Sequence, residues 1–207
     1  MTATGHTPHV TFVPGAAGLA SFWAPVAAAL PAAWSRSFVD LPGLGGAPAV
    51  PGIGSYDDLV AHVAGALPPR TVLVGQSMGG YVAMAAALLR PERVSHLVLT
   101  VAAGGLDMRA LGAADWRADY RESYPAAAPW ATDAVPDLSA RLSALDVPTL
   151  LVWATRDPIS PLAVADRLRA RLPRASLVTF DTDDHWVARL QAPEVAAAIV
   201  RFVGGTA

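Results

Sequence analysis

The sequence predicts an α/β fold: a mostly parallel six-stranded sheet with helices on both faces. Two observations carry this expectation. Short runs rich in Val and Leu recur along the chain without polar alternation, as strands buried on both faces require. Most runs lead through a turn into a helix-like segment, and right-handed crossovers then distribute helices over both sides of the sheet. At 207 residues the chain has room for one ordinary domain, spanning 1–207.

The elements follow in order. His9–Val13 is the first strand and ends in Pro14-Gly15-Ala16-Ala17-Gly18. Leu19–Leu30 is helical, and Pro31 stops it. Ser37–Val39 is a short strand candidate, followed from Asp40 to Gly54 by a Pro/Gly-rich loop. Tyr56–Leu67 places Leu59, Val60, Val63 and Leu67 at helical spacing behind a fitting N-cap, Ser55. Thr71–Val74 is the clearest strand and runs into Gly75-Gln76-Ser77-Met78-Gly79-Gly80; Tyr81–Leu89, apolar on every side, is a buried helix. Val94–Val101, Val147–Trp153 and Ala175–Phe180 complete the strands. A helix fills Leu162–Leu172, and Pro193 opens a last one reaching about Phe202. The stretch 102–146 breaks the alternation. It carries Trp116, Tyr120, Tyr124 and Trp130 and reads as a short helical lid over the carboxyl edge of the sheet.

Composition narrows the function. Hydrophobic residues make up 53% and charged residues 15%, the reverse of a disordered chain. The net charge is −2 with no basic run, so a nucleic-acid partner has no electrostatic footprint. Cysteine is absent, which excludes disulfides, thiolate metal sites and a cysteine nucleophile. The first charged residue is Arg36, but Pro14, Pro25 and Pro31 interrupt the apolar stretch before it. That stretch fits neither a membrane span nor a secretory signal. The expectation is a cytoplasmic protein acting on a small molecule, with no nucleic-acid or membrane partner and its oligomeric state open.

Gly75-Gln76-Ser77-Met78-Gly79 matches G-x-S-x-G in the strand–turn–helix setting that the motif needs. A nucleophile on so tight a turn sits at strained backbone angles, and its neighbours must lack side chains. Serine also needs a base. Of five histidines, His62 falls in a helix and His96 at a strand start, both suited to packing or surface roles. The spacing of His6 and His9 could touch a metal, but they read as a loose tail. His185 follows the last strand in Asp181-Thr-Asp-Asp-His-Trp186, where a loop can reach Ser77. Asp157, just past the preceding strand, is the acid candidate; the order Ser77, Asp157, His185 matches the α/β-hydrolase order. Asp107 is the runner-up, and Asp183 and Asp184 are solvated loop residues. Oxyanion donors are expected from the Met78 N–H and from the first loop, at Ala16 with Ala17 as the alternative.

Together the Pro14–Gly18 loop with Phe22-Trp23, Asp40-Leu-Pro-Gly-Leu-Gly45, the Ser77 elbow, the Asp157 and His185 segments and Gln191-Ala-Pro-Glu194 resemble the α/β-hydrolase superfamily from about His9 to Phe202. The chain is similar to a small member without room for the two leading antiparallel strands. Two positions depart from the pattern: Pro14 stands where His is common, and Asp184 where Gly commonly precedes the histidine. The resemblance implies serine-dependent hydrolysis of a small ester or thioester through an acyl-enzyme, with no metal or organic cofactor. The alternatives are a lyase or C–C bond hydrolase using the same Ser–His pair for proton transfer, and a non-catalytic ligand receptor. Met108, Leu111, Trp186 and the insertion aromatics are candidate pocket residues, under a minimal lid and in a shallow or open pocket.

Overall fold

The computed structural model describes residues 7–205, so His6 lies outside the described residues. The strands are β1 (His9–Val13), β2 (Ser35–Phe38), β3 (Thr71–Gln76), β4 (Val94–Thr100), β5 (Thr149–Ala154) and β6 (Ala175–Phe180). They form one sheet in the order β2-β1-β3-β4-β5-β6, with every pairing among the described residues parallel. Every residue of β3 and β5 is buried, which is why their sequences do not alternate.

The helices are α1 (Ala24–Ala29), α2 (Tyr56–Ala66), α3 (Met78–Leu89), α4 (Arg117–Ser123), α5 (Leu162–Arg171), α6 (Val187–Leu190) and α7 (Ala192–Gly205). Two apolar cores sandwich the sheet. One joins Leu73, Leu97 and Leu151 to α2, α3 and α5; the other joins Phe12, Val72, Val74 and Leu150 to α1 and α7. Among the described residues no helix is long and apolar enough to cross a membrane.

Several element boundaries differ from expectation for identifiable reasons. The helix expected over 19–30 opens with a 3-10 turn, Ala20–Trp23, before α1. There the Asp40 carboxylate accepts from the Ala20 N–H at 2.7 Å and the Trp23 indole N–H donates to the Val13 carbonyl at 2.9 Å. Strand β2 starts two residues before the expected Ser37 because polar side chains zip it to β1. His9 is no loose tail: its ring nitrogens lie 2.8 and 2.9 Å from the Ser35 and Ser37 hydroxyls. Helix α3 begins at Met78 rather than Tyr81, directly on the Ser77 turn. The short α6 lies outside the expected elements; just ahead of it the Asp184 carboxylate accepts from the Trp186 N–H at 2.7 Å.

Between β4 and β5 an inserted segment holds α4 and two 3-10 turns, Pro129–Thr132 and Leu142–Ala144. Tyr56 on α2 anchors it. The Tyr56 hydroxyl donates to the Ala131 carbonyl at 2.7 Å, and its ring packs edge-on against Trp130 and Tyr81.

Candidate active site

Ser77 occupies the turn between β3 and α3 at φ +53°, ψ −122°, a conformation an L side chain rarely adopts. Such strain costs about 1–3 kcal/mol and persists only where the surroundings enforce it. Here the Ser77 N–H donates to the Thr100 carbonyl at 3.0 Å, while the Ser77 carbonyl accepts from Gly80 at 2.8 Å and Ala103 at 3.0 Å. The flanking glycines leave room for the turn. A Cβ on Gly79 would lie 2.0 Å from the Pro14 carbonyl oxygen, and one on Gly75 2.4 Å from the Gly79 carbonyl oxygen.

The three residues expected to act together are adjacent in space. His185 Nε2 is 2.8 Å from Ser77 Oγ, and His185 Nδ1 is 2.6 Å from Asp157 Oδ2. A carboxylate can only accept, so this pairing puts the ring proton on Nδ1 and leaves Nε2 to accept from the Ser77 hydroxyl. The two carboxylate oxygens divide their work. Asp157 Oδ1 accepts from the Ile159 and Ser160 amides at 2.8 and 3.1 Å, which aims Oδ2 at the imidazole. Asp157 is 2% exposed, so its carboxylate is shielded from water.

Side chains not anticipated from the sequence brace this arrangement. The Ser160 hydroxyl, fully buried, donates to the Ala102 carbonyl at 2.7 Å, and the Trp153 indole N–H donates to the Ser160 carbonyl at 2.8 Å. They lock the Asp157 turn to the chain after β4, where Val101 is held at φ +39°. The Gln76 amide donates to the His185 carbonyl at 3.3 Å. Asp107 stays apart: it is exposed, and its carboxylate accepts from the Ala110 N–H at 3.0 Å. His62 is exposed on α2, and His96 lies half-buried on β4, its ring against Phe202. Asp183 is exposed, whereas Asp184 is half-buried and its carboxylate accepts from the Trp186 N–H just ahead of α6.

Ala16 and Ala17 form the tip of a turn closed by the Gly18 N–H on the Gly15 carbonyl at 3.0 Å. Among the described residues neither the Ala16 nor the Met78 N–H donates to a protein acceptor, and both residues line the cavity above Ser77. That cavity holds about 510 Å³, with Trp116, Tyr120, Tyr124 and Trp186 in its wall. A second cavity of about 710 Å³ adjoins it; Met78, Ala103, Trp116 and Ile159 border both. Met108 lines the second, Leu111 lines neither, and Trp130 is buried against Tyr56 instead of facing either space. The site above Ser77 is thus flanked by a second cavity rather than standing alone.

A family model described as the alpha/beta hydrolase family matches residues 12–199. The chain belongs to the α/β-hydrolase family. This α/β-hydrolase is 29% identical to a 2-hydroxy-6-oxononadienedioate/2-hydroxy-6-oxononatrienedioate hydrolase of Burkholderia vietnamiensis, over 92% of this chain and 83% of that one. It is 30% identical to a pimeloyl-[acyl-carrier protein] methyl ester esterase of Neisseria meningitidis serogroup B, over 85% of each chain. Among solved structures, a meta-cleavage product hydrolase from Pseudomonas fluorescens superposes with a TM-score of 0.78 at 23% identity, covering 98% of this chain and 93% of that one. The α/β-hydrolase is thus a hydrolase-type enzyme with serine-type chemistry, on the fold that the sequence predicts.

Proposed function

We propose that this α/β-hydrolase cleaves a carbon–carbon bond beside a ketone in a small oxo acid, using Ser77, His185 and Asp157. The hydrogen-bonded chain from Ser77 through His185 to Asp157 carries the proposal, because it prepares a hydroxyl to lose its proton to the imidazole. The preference for C–C cleavage over the ester hydrolysis expected from the sequence comes from the relatives. The compound named in several of them bears a 6-oxo group and two carboxylates but no ester, so its hydrolysis must break a carbon–carbon bond. The cavity above Ser77 and the second cavity, which shares Met78 and Ala103 with it, offer a substrate room on both sides of such a bond.

Each step balances. Ser77 Oγ adds to the ketone carbon as its proton moves to His185 Nε2, and Asp157 steadies the resulting imidazolium. The carbonyl oxygen, now an alkoxide, accepts from the Met78 N–H and from Ala16, or Ala17 in its place. Collapse of the adduct breaks the C–C bond; its electrons pass to a carbon conjugated with the rest of the oxo acid, and His185 returns the proton to that fragment. Water, deprotonated by His185, then adds to the acyl carbon, and His185 returns the proton to Ser77 Oγ as the acid leaves. One water is consumed, and two products form.

Ester hydrolysis is the second reading, favoured by the methyl ester esterases among the relatives. A conjugated 2-hydroxy-6-oxodienoic acid and 4-nitrophenyl butanoate, assayed side by side, separate the two. C–C cleavage predicts loss of the dienoate absorbance at a higher kcat/KM than the ester, with both activities abolished in Ser77→Ala. Ester turnover while the dienoate persists would replace the first reading with the second.

A further inference from the structure

The turn that supplies the expected oxyanion donor is held through all three of its leading carbonyls. Gly15 O accepts from the Gly18 N–H at 3.0 Å and Ala17 O from the Gly46 N–H at 3.0 Å, both backbone bonds. Ala16 O accepts instead from the Tyr120 hydroxyl at 2.9 Å, a side chain 104 positions away on α4. The Gly45 N–H in turn lies 2.6 Å from the Tyr120 oxygen. A backbone N–H can only donate, so the phenol oxygen accepts there and its single proton is committed to Ala16. Trp116 and Tyr124 flank the Tyr120 ring, each with its centroid 5.1 Å away, and Tyr120 is 7% exposed. Burial raises the phenol pKa above its ordinary value.

The peptide between Ala16 and Ala17 is the central one of this turn, and rotation of a central peptide is what interconverts turn types. In a trans peptide the C=O and N–H point in opposite directions, so fixing the Ala16 carbonyl directly fixes the Ala17 N–H, the alternative donor, and through the ψ angle of Ala16 it sets that peptide against the Ala16 N–H, which belongs to the preceding peptide. We infer that Tyr120 is a positioning residue for the oxyanion site: its hydroxyl, delivered by the inserted segment, sets the orientation of the Ala16–Ala17 peptide. The inference rests on the serine-hydrolase function proposed above. It makes α4 a structural part of the catalytic apparatus as well as a wall of the cavity.

The test compares Tyr120→Phe with Tyr56→Phe and Ser77→Ala, using 4-nitrophenyl butanoate as substrate and phenylboronic acid as the tetrahedral mimic. Tyr56→Phe removes the other tyrosine hydroxyl that ties down the inserted segment. Tyr120→Phe should lower kcat about 10–100-fold, less than outright loss of an oxyanion donor, with KM within about threefold. Boronate affinity should fall by a similar factor. Tyr56→Phe should lower Tm while leaving kcat within about threefold of wild type. If Ser77→Ala is inactive but Tyr120→Phe keeps wild-type kcat, the positioning role is wrong and the serine chemistry stands. If Ser77→Ala stays active, both fall. A kcat loss without a matching loss of boronate affinity also overturns the role. Should the Phe variant not fold, 3,5-difluorotyrosine at position 120 retains the ring and both bonds but ionises at lower pH. Its kcat should then decline at lower pH than wild type, and an unmoved alkaline limb would count against the inference.

Discussion

His185 Nε2 stands 2.8 Å from Ser77 Oγ although 108 positions separate the two residues. The sheet order makes this meeting possible. Strand β3 is central and all strands run parallel, so the loops that follow β3, β5 and β6 emerge at one edge. Three local devices then bring the imidazole to the serine. Asp184 turns the chain at Trp186, Gln76 holds the His185 carbonyl, and Asp157 receives Nδ1.

Asp157→Asn tests the tautomer directly. An amide presented to Nδ1 no longer requires a proton there, so Nε2 loses its role as acceptor for the Ser77 hydroxyl. We expect kcat to fall by about 10⁴ with little change in fold. Steady-state kinetics alongside circular dichroism would check it; a loss below about tenfold would show that Asp157 does not control the imidazole.

Gly79→Ala should damage both stability and activity. Its Cβ would lie 2.0 Å from the Pro14 carbonyl oxygen, a contact with backbone that no rotamer change relieves. Overpacking of this kind costs about 1–3 kcal/mol and would spread the first loop away from the elbow. Denaturant titration and kcat should both register it; wild-type values for both would mean that the close approach has no importance.

Much of this was legible in the sequence, for physical reasons. The six strands are apolar runs or follow a turn, and the Ser77 motif states its own steric requirement. His185 and Asp157 can be nominated from the sequence because loops after parallel strands converge on one edge, and the structure brings both side chains into one hydrogen-bonded chain with Ser77. What escaped was encoded by side chains pairing across distance. Strand β2 is polar and is aligned by His9, Ser35 and Ser37. Ser160 and Tyr120 look like ordinary loop and helix residues until the carbonyls of Ala102 and Ala16 are seen to accept from them. Trp130 and Leu111 belong to the same apolar class as the true cavity residues, and only packing separates them.

Ser160→Ala removes the donor to the Ala102 carbonyl, which has no access to water in its place. A loss of about 1–3 kcal/mol follows from leaving a buried acceptor unsatisfied. Urea unfolding measures it. A smaller loss in kcat should accompany it, since the Asp157 turn loosens; an unchanged midpoint would remove Ser160 from the bracing network.

Stability should fall at alkaline pH. Burial pushes the Tyr81 phenol up to about 12 and raises that of Tyr56 further. Both phenols ionise near 10.0 once exposed by unfolding. A raised folded-state pKa contributes stability that is complete below the unfolded value and lost as pH rises through the folded one. The unfolding midpoint should therefore be level up to about pH 10 and decline above it, with a shallower decline in Tyr56→Phe. Denaturant titrations across that range measure the slope; equal slopes in the variant and wild type would contradict the assignment.

The central claim is that His185 makes the Ser77 hydroxyl reactive. Treating the purified protein with a fluorophosphonate and mapping the adduct by peptide mass spectrometry tests it most directly. The account predicts one adduct, on Ser77, forming rapidly in the wild type and lost or greatly slowed in His185→Ala. Modification at another residue, or labelling of Ser77 at the same rate without His185, would contradict it.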